Sequence, residues 1–183
     1  MSNNKEIREY RDTVHLYLAL QRPSKQGAGH KRCIRSVIKH DYDLTVFEAK
    51  IRAIGGEWRI YHTVNARSVE KAYKFFMKSM IDFPERASCA DSIWRTALLQ
   101  RECKVSKLFM LDIDTEDRVE LGIIEGKILE AGEKVIKRIK SPSGWHYTTY
   151  PFDTREICKL DYVTLLRDGY YYVKTVGENI DIK

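Results

Sequence analysis

Apolar residues recur along this chain with two periods. Val14, Leu16, Leu18 and Leu20 alternate with polar or small neighbours, which predicts a strand over 13–20. The segment QRPSKQGAGHKR (21–32) carries a proline, two glycines and four basic residues and reads as a loop. CIRSVI (33–38) reads as a second strand. Leu44, Phe47, Ile51 and Ile54 then fall at helical spacing, and Gly55-Gly56 ends that helix. EWRIYHTV (57–64) alternates as a strand, and Ser68 is placed to cap the helix after it. The predicted inward stripe of that helix is Tyr73, Phe76, Met77, Met80 and Ile81, and Pro84 stops it. A further helix is expected over 91–101, followed by the strand KLFMLDID (107–114).

Thr115 is placed to cap a helix over 116–131, with Leu121, Ile124 and Ile128 inward and Gly132 past its end. Gly122 and Gly126 weaken that helix. KVIKRIK (134–140) and GWHYTTYPF (144–152) read as strands joined by a Ser-Pro-Ser-Gly turn. A short turn near 153–158 leads to YVTLL (162–166) and YYYVKTV (170–176), with Arg167-Asp168-Gly169 between them as a hairpin turn. Strand and helix alternate first, and mostly antiparallel strands follow. This order predicts an α+β protein whose sheet is covered by helices. At 183 residues one domain is the expectation, with lobes at 1–84 (N-terminal, α/β) and 85–183.

Composition narrows the class. A hydrophobic content of 43% supports a real core, and no run of apolar residues is long enough to span a membrane. The N-terminus is polar and unlike a signal peptide, so a cytoplasmic location is expected. Cys33, Cys89, Cys103 and Cys158 are scattered without Cys-x-x-Cys spacing and read as free, buried thiols rather than a zinc site. The net charge of +6, with pI near 9.1, favours polyphosphate partners such as nucleic acid or nucleotides.

The chemistry concentrates in FMLDIDTED (109–117). Strand alternation puts Met110, Asp112 and Asp114 on one face and Phe109, Leu111 and Ile113 on the other. Two carboxylates so placed repel each other, and a divalent cation is the usual compensation. In PSGWH (142–146), Gly144 and His146 share a face after a tight turn. The glycine is expected to let a polyphosphate approach the backbone, and the imidazole to donate to a phosphate oxygen. Nucleotidyl transfer needs one metal to activate a 3′-hydroxyl and another to neutralise the leaving pyrophosphate, a task suited to paired carboxylates. Arg59, Arg67, Lys71, Lys140 and Arg167 are the candidates for phosphate and polynucleotide contacts.

MLDID (110–114), PSGWH (142–146) with YPFD (150–153), LLRDGYYYV (165–173) and the upstream WRIYHTVNARSVEKA (58–72) together resemble the archaeo-eukaryotic primase superfamily, in particular its small phage and plasmid members. The resemblance implies a primase-polymerase-like catalytic core with a central, mostly antiparallel, RRM-like sheet flanked by helices. It implies that Asp112 and Asp114 hold two Mg²⁺ or Mn²⁺ ions, and that Ser143, Gly144 and His146, with Arg67, bind the incoming nucleoside triphosphate. A third acid would complete the metal site. Asp168 matches by its hairpin context and Asp161 by an alternative placement, while the position just inside the strand is Thr164, which is not acidic. The implied partners are nucleoside triphosphates, a DNA or RNA template and primer, and replication or repair proteins that supply helicase or ligase.

Two other readings compete. A haloacid-dehalogenase-type phosphatase also places Asp-x-Asp after an apolar strand, but wants Thr or Val where this chain has Glu116. A non-catalytic nucleic-acid-binding or nucleotide-binding module would use Trp145, Tyr170, Tyr171 and Tyr172 to stack bases. Alternate tyrosines of a strand face the core, which argues against all three stacking.

Overall fold

The computed structural model describes residues 12–21 and 32–177, so the loop expected over 21–32 falls, from Arg22 to Lys31, outside the described residues. In chain order the described strands are β1 (Thr13–Gln21), β2 (Cys33–Ile38), β3 (Trp58–Thr63), β4 (Arg67–Ser68), β5 (Phe109–Ile113), β6 (Lys137–Ser141), β7 (Gly144–Thr149), β8 (Val163–Leu166) and β9 (Tyr170–Val176). The described α-helices are α1 (Asp41–Ile54), α2 (Val69–Asp82), α3 (Ala90–Leu98) and α4 (Arg118–Glu130). The class is α+β, and the strands form two sheets rather than one, ordered β2-β1-β3-β9, with β4 beside β1, and β6-β7-β5-β8. No described helix is long and apolar enough to cross a membrane.

The chain divides into two compact units. The first takes the described residues up to His62, then Ala66–Val105, then Val173 onward; the second takes Thr63–Asn65 and Ser106–Tyr172. These units do not divide at 84/85, where the two lobes were expected to meet. Pro84 does end α2, but α2 and α3 on either side of it share one apolar cluster, with the Phe76 and Trp94 rings 5.7 Å apart. A cut there would open a core.

In the first unit, alternation along β1 sends successive side chains to opposite faces of the sheet. Ala19, with Ile38, Trp58 and Ile60, packs against Phe47 and Ile51 of α1. That helix stops where Gly55 takes φ 76°, a left-handed value that a side chain disfavours. On the other face Val14 and Leu16 meet Ala72, Phe75 and Phe76 of α2 and Ala97 and Leu98 of α3. The predicted α2 stripe is thus rotated: Tyr73, Met77 and Ile81 are exposed, at 55%, 37% and 71%. Apolar residues occupy more than half of this helix's circumference, so periodicity alone does not choose the inward side.

In the second unit, Leu111 and Ile113 of β5, Tyr147 of β7 and Val163 of β8 pack against Ile124 and Ile128 of α4. The cap of α4 is Asp117, not Thr115. Asp117 Oδ1 accepts from the Val119 and Glu120 N–H groups at 2.6 and 3.2 Å, while Thr115 Oγ1 accepts from Asp117 N–H. The expected β8–β9 hairpin is also absent, since β8 pairs with β5 while β9 neighbours β3. The turn between them serves other contacts. Gly169 offers its carbonyl to Val64 N–H at 2.9 Å, and a Cβ on it would lie 2.8 Å from Met110 Cε. All four cysteines are free as expected, yet Cys103 alone is buried; Cys33, Cys89 and Cys158 are exposed.

The rotation of α2 gives a direct prediction. Phe76→Ala, which strips the contact with Trp94, is expected to cost roughly 2–3 kcal/mol in urea unfolding. Ile81→Ala, a residue in the predicted stripe, is expected to change stability by less than about 0.5 kcal/mol. Equal losses would return Ile81 to the core.

Candidate active site

The candidate residues of the second unit are organised by β5. Antiparallel register sets Asp112 opposite His146 on β7 and opposite Thr164 on β8. Ile139 of β6 lies across from His146, so Ile139, His146, Asp112 and Thr164 form one row across the sheet. This face is the one turned away from the Leu111–Ile113 cluster under α4. Next along it, Thr148 Oγ1 and the Tyr171 hydroxyl are hydrogen-bonded in the interior, and burial pushes the Tyr171 phenol upward against the opposing effect of that bond. Tyr171 is thus a core residue, with Met110 and Val64 around it.

His146 has protein partners at both ring nitrogens. Its Nε2 lies 3.3 Å from Asp112 Oδ1, and its Nδ1 accepts from the Tyr172 backbone N–H at 3.3 Å. With Nδ1 taken up by the Tyr172 N–H, Nε2 is the ring nitrogen turned to Asp112 Oδ1. The His146 side chain is 6% exposed, while that of Asp112 is 36% exposed. His146 therefore anchors the carboxylate from beneath. The expected partner of the imidazole was a phosphate oxygen; in this geometry its ring nitrogens face the Asp112 carboxylate and the Tyr172 N–H. The Tyr172 N–H was not foreseeable from sequence, being a backbone group on a strand 26 residues away.

Asp114 follows the end of β5 and is exposed; its Oδ1 accepts from Ser143 Oγ at 3.2 Å, and its N–H donates to Tyr162 O at 2.9 Å. Gly144 is buried, and a Cβ there would lie 1.9 Å from Ile113 O and 2.9 Å from Thr115 N. The glycine is required by the neighbouring strand's backbone, so close approach of a polyphosphate is not what demands it.

The remaining candidates are dispersed. Asp168 sits at the opposite end of β5. The Asn65 amide holds it at 3.3 Å while also donating to Leu108 O, four residues before Asp112. At the rise of a strand that separation is roughly 13 Å, so Asp168 is not brought to the Asp112–Asp114 end. Asp161, next to Tyr162, has its backbone at that end. Among the described residues, no group of three or more His, Cys, Asp or Glu side chains is arranged to hold a metal. Lys140 lies on the opposite face, over the Trp145 ring and paired with Glu116. Arg167 is exposed over the Phe109 ring. Arg59, Arg67 and Lys71 belong to the first unit. Arg67 is 1% exposed, on a strand paired with β1 and bridged to Lys104, so it is interior rather than a surface ligand. Lys71 is exposed in the first turn of α2.

Comparison with protein-family models, curated proteins and solved structures finds no match to this chain.

The crowding at Gly144 predicts a stability effect with no ligand present. Gly144→Ala is expected to lose about 3 kcal/mol in thermal unfolding, since Ile113 O is main chain and cannot turn aside. A melt equal to wild type would restore ligand approach as the reason for the glycine.

Proposed function

We propose that the second unit binds Mg²⁺ or Mn²⁺ at Asp112 and Asp114 and transfers nucleotidyl groups from nucleoside triphosphates to nucleic acid, on a core of the primase-polymerase type. The observation that carries this reading is the asymmetric His146–Asp112 pair. A pair serving only the fold gains nothing from leaving one partner in solvent. Here the buried imidazole lies against one oxygen of Asp112, whose side chain is 36% exposed and can be reached by an ion. Ligating carboxylates are commonly held in this manner by an outer hydrogen bond.

The donor set fits the ion. Mg²⁺ usually takes one or two carboxylates and completes its octahedron with water and substrate phosphate oxygens. When bound, such ions activate an attacking hydroxyl and neutralise charge on the leaving pyrophosphate. The chain's own residues orient the ligands. His146 sets the rotamer of Asp112, Ser143 donates to Asp114, and Thr164 presents a hydroxyl in the same row. Asp161 is the third acid of this proposal in place of Asp168, because its backbone neighbours Asp114. DNA or RNA template and primer would be the polymer substrates, with helicase or ligase functions left to partner proteins.

Template-directed primer extension with Mg²⁺ or Mn²⁺ tests the reading. Asp112→Asn is expected to abolish transfer and Asp161→Asn to follow it, while Asp168→Asn retains activity. His146→Ala is expected to lower kcat and to weaken the apparent metal affinity about 10–100-fold, with the nucleotide KM little changed at saturating metal. A raised KM at constant kcat would instead make His146 a phosphate contact. Folded wild type that transfers nothing with either metal overturns the proposal and favours the binding-module reading.

Metal binding is also measurable without turnover. Mn²⁺ should raise the melting temperature of wild type, because a ligand that binds only the folded state stabilises it. The Asp112→Asn/Asp114→Asn variant should show no such rise. An equal rise in both places the ion elsewhere.

A further inference from the structure

Among the described residues, helices cover one face of the first unit's sheet only at one end. Val14, Leu16 and Val37 lie under α2 and α3. Further along the same face come two rows in register, Arg35–Leu18–Tyr61 and Cys33–Leu20–Arg59. Leu18 and Leu20 are half-buried but belong to none of the apolar clusters of the described residues. At the border, Ser92 and Arg95 of α3 join Cys33, Ile34 and Arg35 around an open depression of about 580 Å³. No acidic residue lines it.

Three arginines here have no counter-charge among the described residues. Among the described residues, neither Arg35 nor Arg95 makes a side-chain hydrogen bond or ion pair. Arg59 Nε is buried and has no hydrogen-bond partner among the described residues. A guanidinium desolvated without an acceptor is costly, and phosphate is the acceptor whose geometry its donor fork matches. Strand spacing and rise put Arg35 and Arg59 roughly 12 Å apart, more than one phosphate covers. Between them lies an apolar strip of Leu18, Leu20 and the Tyr61 ring. Cations flanking an apolar and aromatic sheet face suit a chain of phosphates that carries accessible bases, which a duplex does not present.

We propose that this open face binds single-stranded polynucleotide, with Arg35, Arg59 and Arg95 holding successive phosphates, Ser92 donating to one of them, and Leu18, Leu20 and Tyr61 lying under the bases. The proposal deepens the reading of the protein as acting on nucleic acid, from which it takes the polynucleotide. Its test contains no metal, so that binding and chemistry fail separately.

The measurement is fluorescence anisotropy of a labelled oligothymidylate in EDTA across a salt series. Arg35→Ala/Arg95→Ala is expected to weaken binding at least about tenfold and to flatten the slope of log affinity against log salt by about 1.4, the share of two single-strand phosphate contacts. Arg59→Gln should weaken binding in the same direction. Lys50→Ala/Arg52→Ala removes equal charge from α1, which packs on the opposite face, and should bind as wild type. Because Arg35 and Arg95 have no side-chain partner among the described residues, their variants should melt as wild type does. Wild type that does not bind, an arginine variant that binds as well as wild type, an equal loss in the α1 control, or a duplex that competes as well as the single strand each overturns the proposal. Arginine-dependent binding in a protein that transfers no nucleotide sinks the active-site reading alone. Transfer that depends on Asp112, with binding indifferent to the arginines, sinks this one alone.

Discussion

Gly144 has no side chain, and the Ile113 carbonyl occupies the space that one would fill. This contact holds the start of β7 against the end of β5, and a strand held at one end keeps its register along its length. A slip of one residue would exchange the two faces of β7. His146 would then point at α4, and Tyr147 would meet Asp112. The opposition of Asp112 and His146 thus follows from a backbone contact two residues away from the imidazole.

Given that register, the second unit separates two environments on one sheet. Leu111, Ile113, Tyr147 and Val163 form a dry face under α4. Asp112, His146 and Thr164 occupy the other, beside a buried polar link between Thr148 and Tyr171. Most buried polar groups there have a partner of the right kind, the Ser141 hydroxyl being without one among the described residues. The His146 ring receives one N–H and faces the Asp112 carboxylate, and Asn65 satisfies both the N–H and the carbonyl of Leu108. Such a network is stiff, because any member that turns away leaves another unsatisfied in a medium that penalises it. Asp112 is consequently presented to solvent by a rigid support, which is what a site needs if its geometry is to be set before a ligand arrives.

The first unit handles charge differently. Its sheet spends one face on α1 and half of the other on α2 and α3, and leaves arginines where the cover ends. Arg67, the most deeply buried basic residue among those described, lies within the core region beside Cys103, whose thiol burial pushes up. Basic residues of one chain therefore range from interior to open surface, and net charge alone does not distinguish them.

Strand and helix identity were legible in the sequence. Periods of two and of about 3.6 are local, and β1 to β3, β5 to β9 and the four described α-helices lie close to where those periods put them. So were the face shared by Met110 and Asp112 and the face shared by Gly144 and His146, since alternation is a property of each strand alone. Pairing was not legible. YVTLL and YYYVKTV are joined by a turn that reads as a hairpin, yet they enter different sheets, because Gly169 is drawn to Val64 and Met110 from elsewhere in the chain. The inward side of α2, the lobe division, the distance of Asp168 from Asp112 and the backbone partner of His146 likewise depended on residues far apart in sequence. Local periodicity records which way each side chain points from its own backbone. What it points at is decided only when separate segments compete for the same interior.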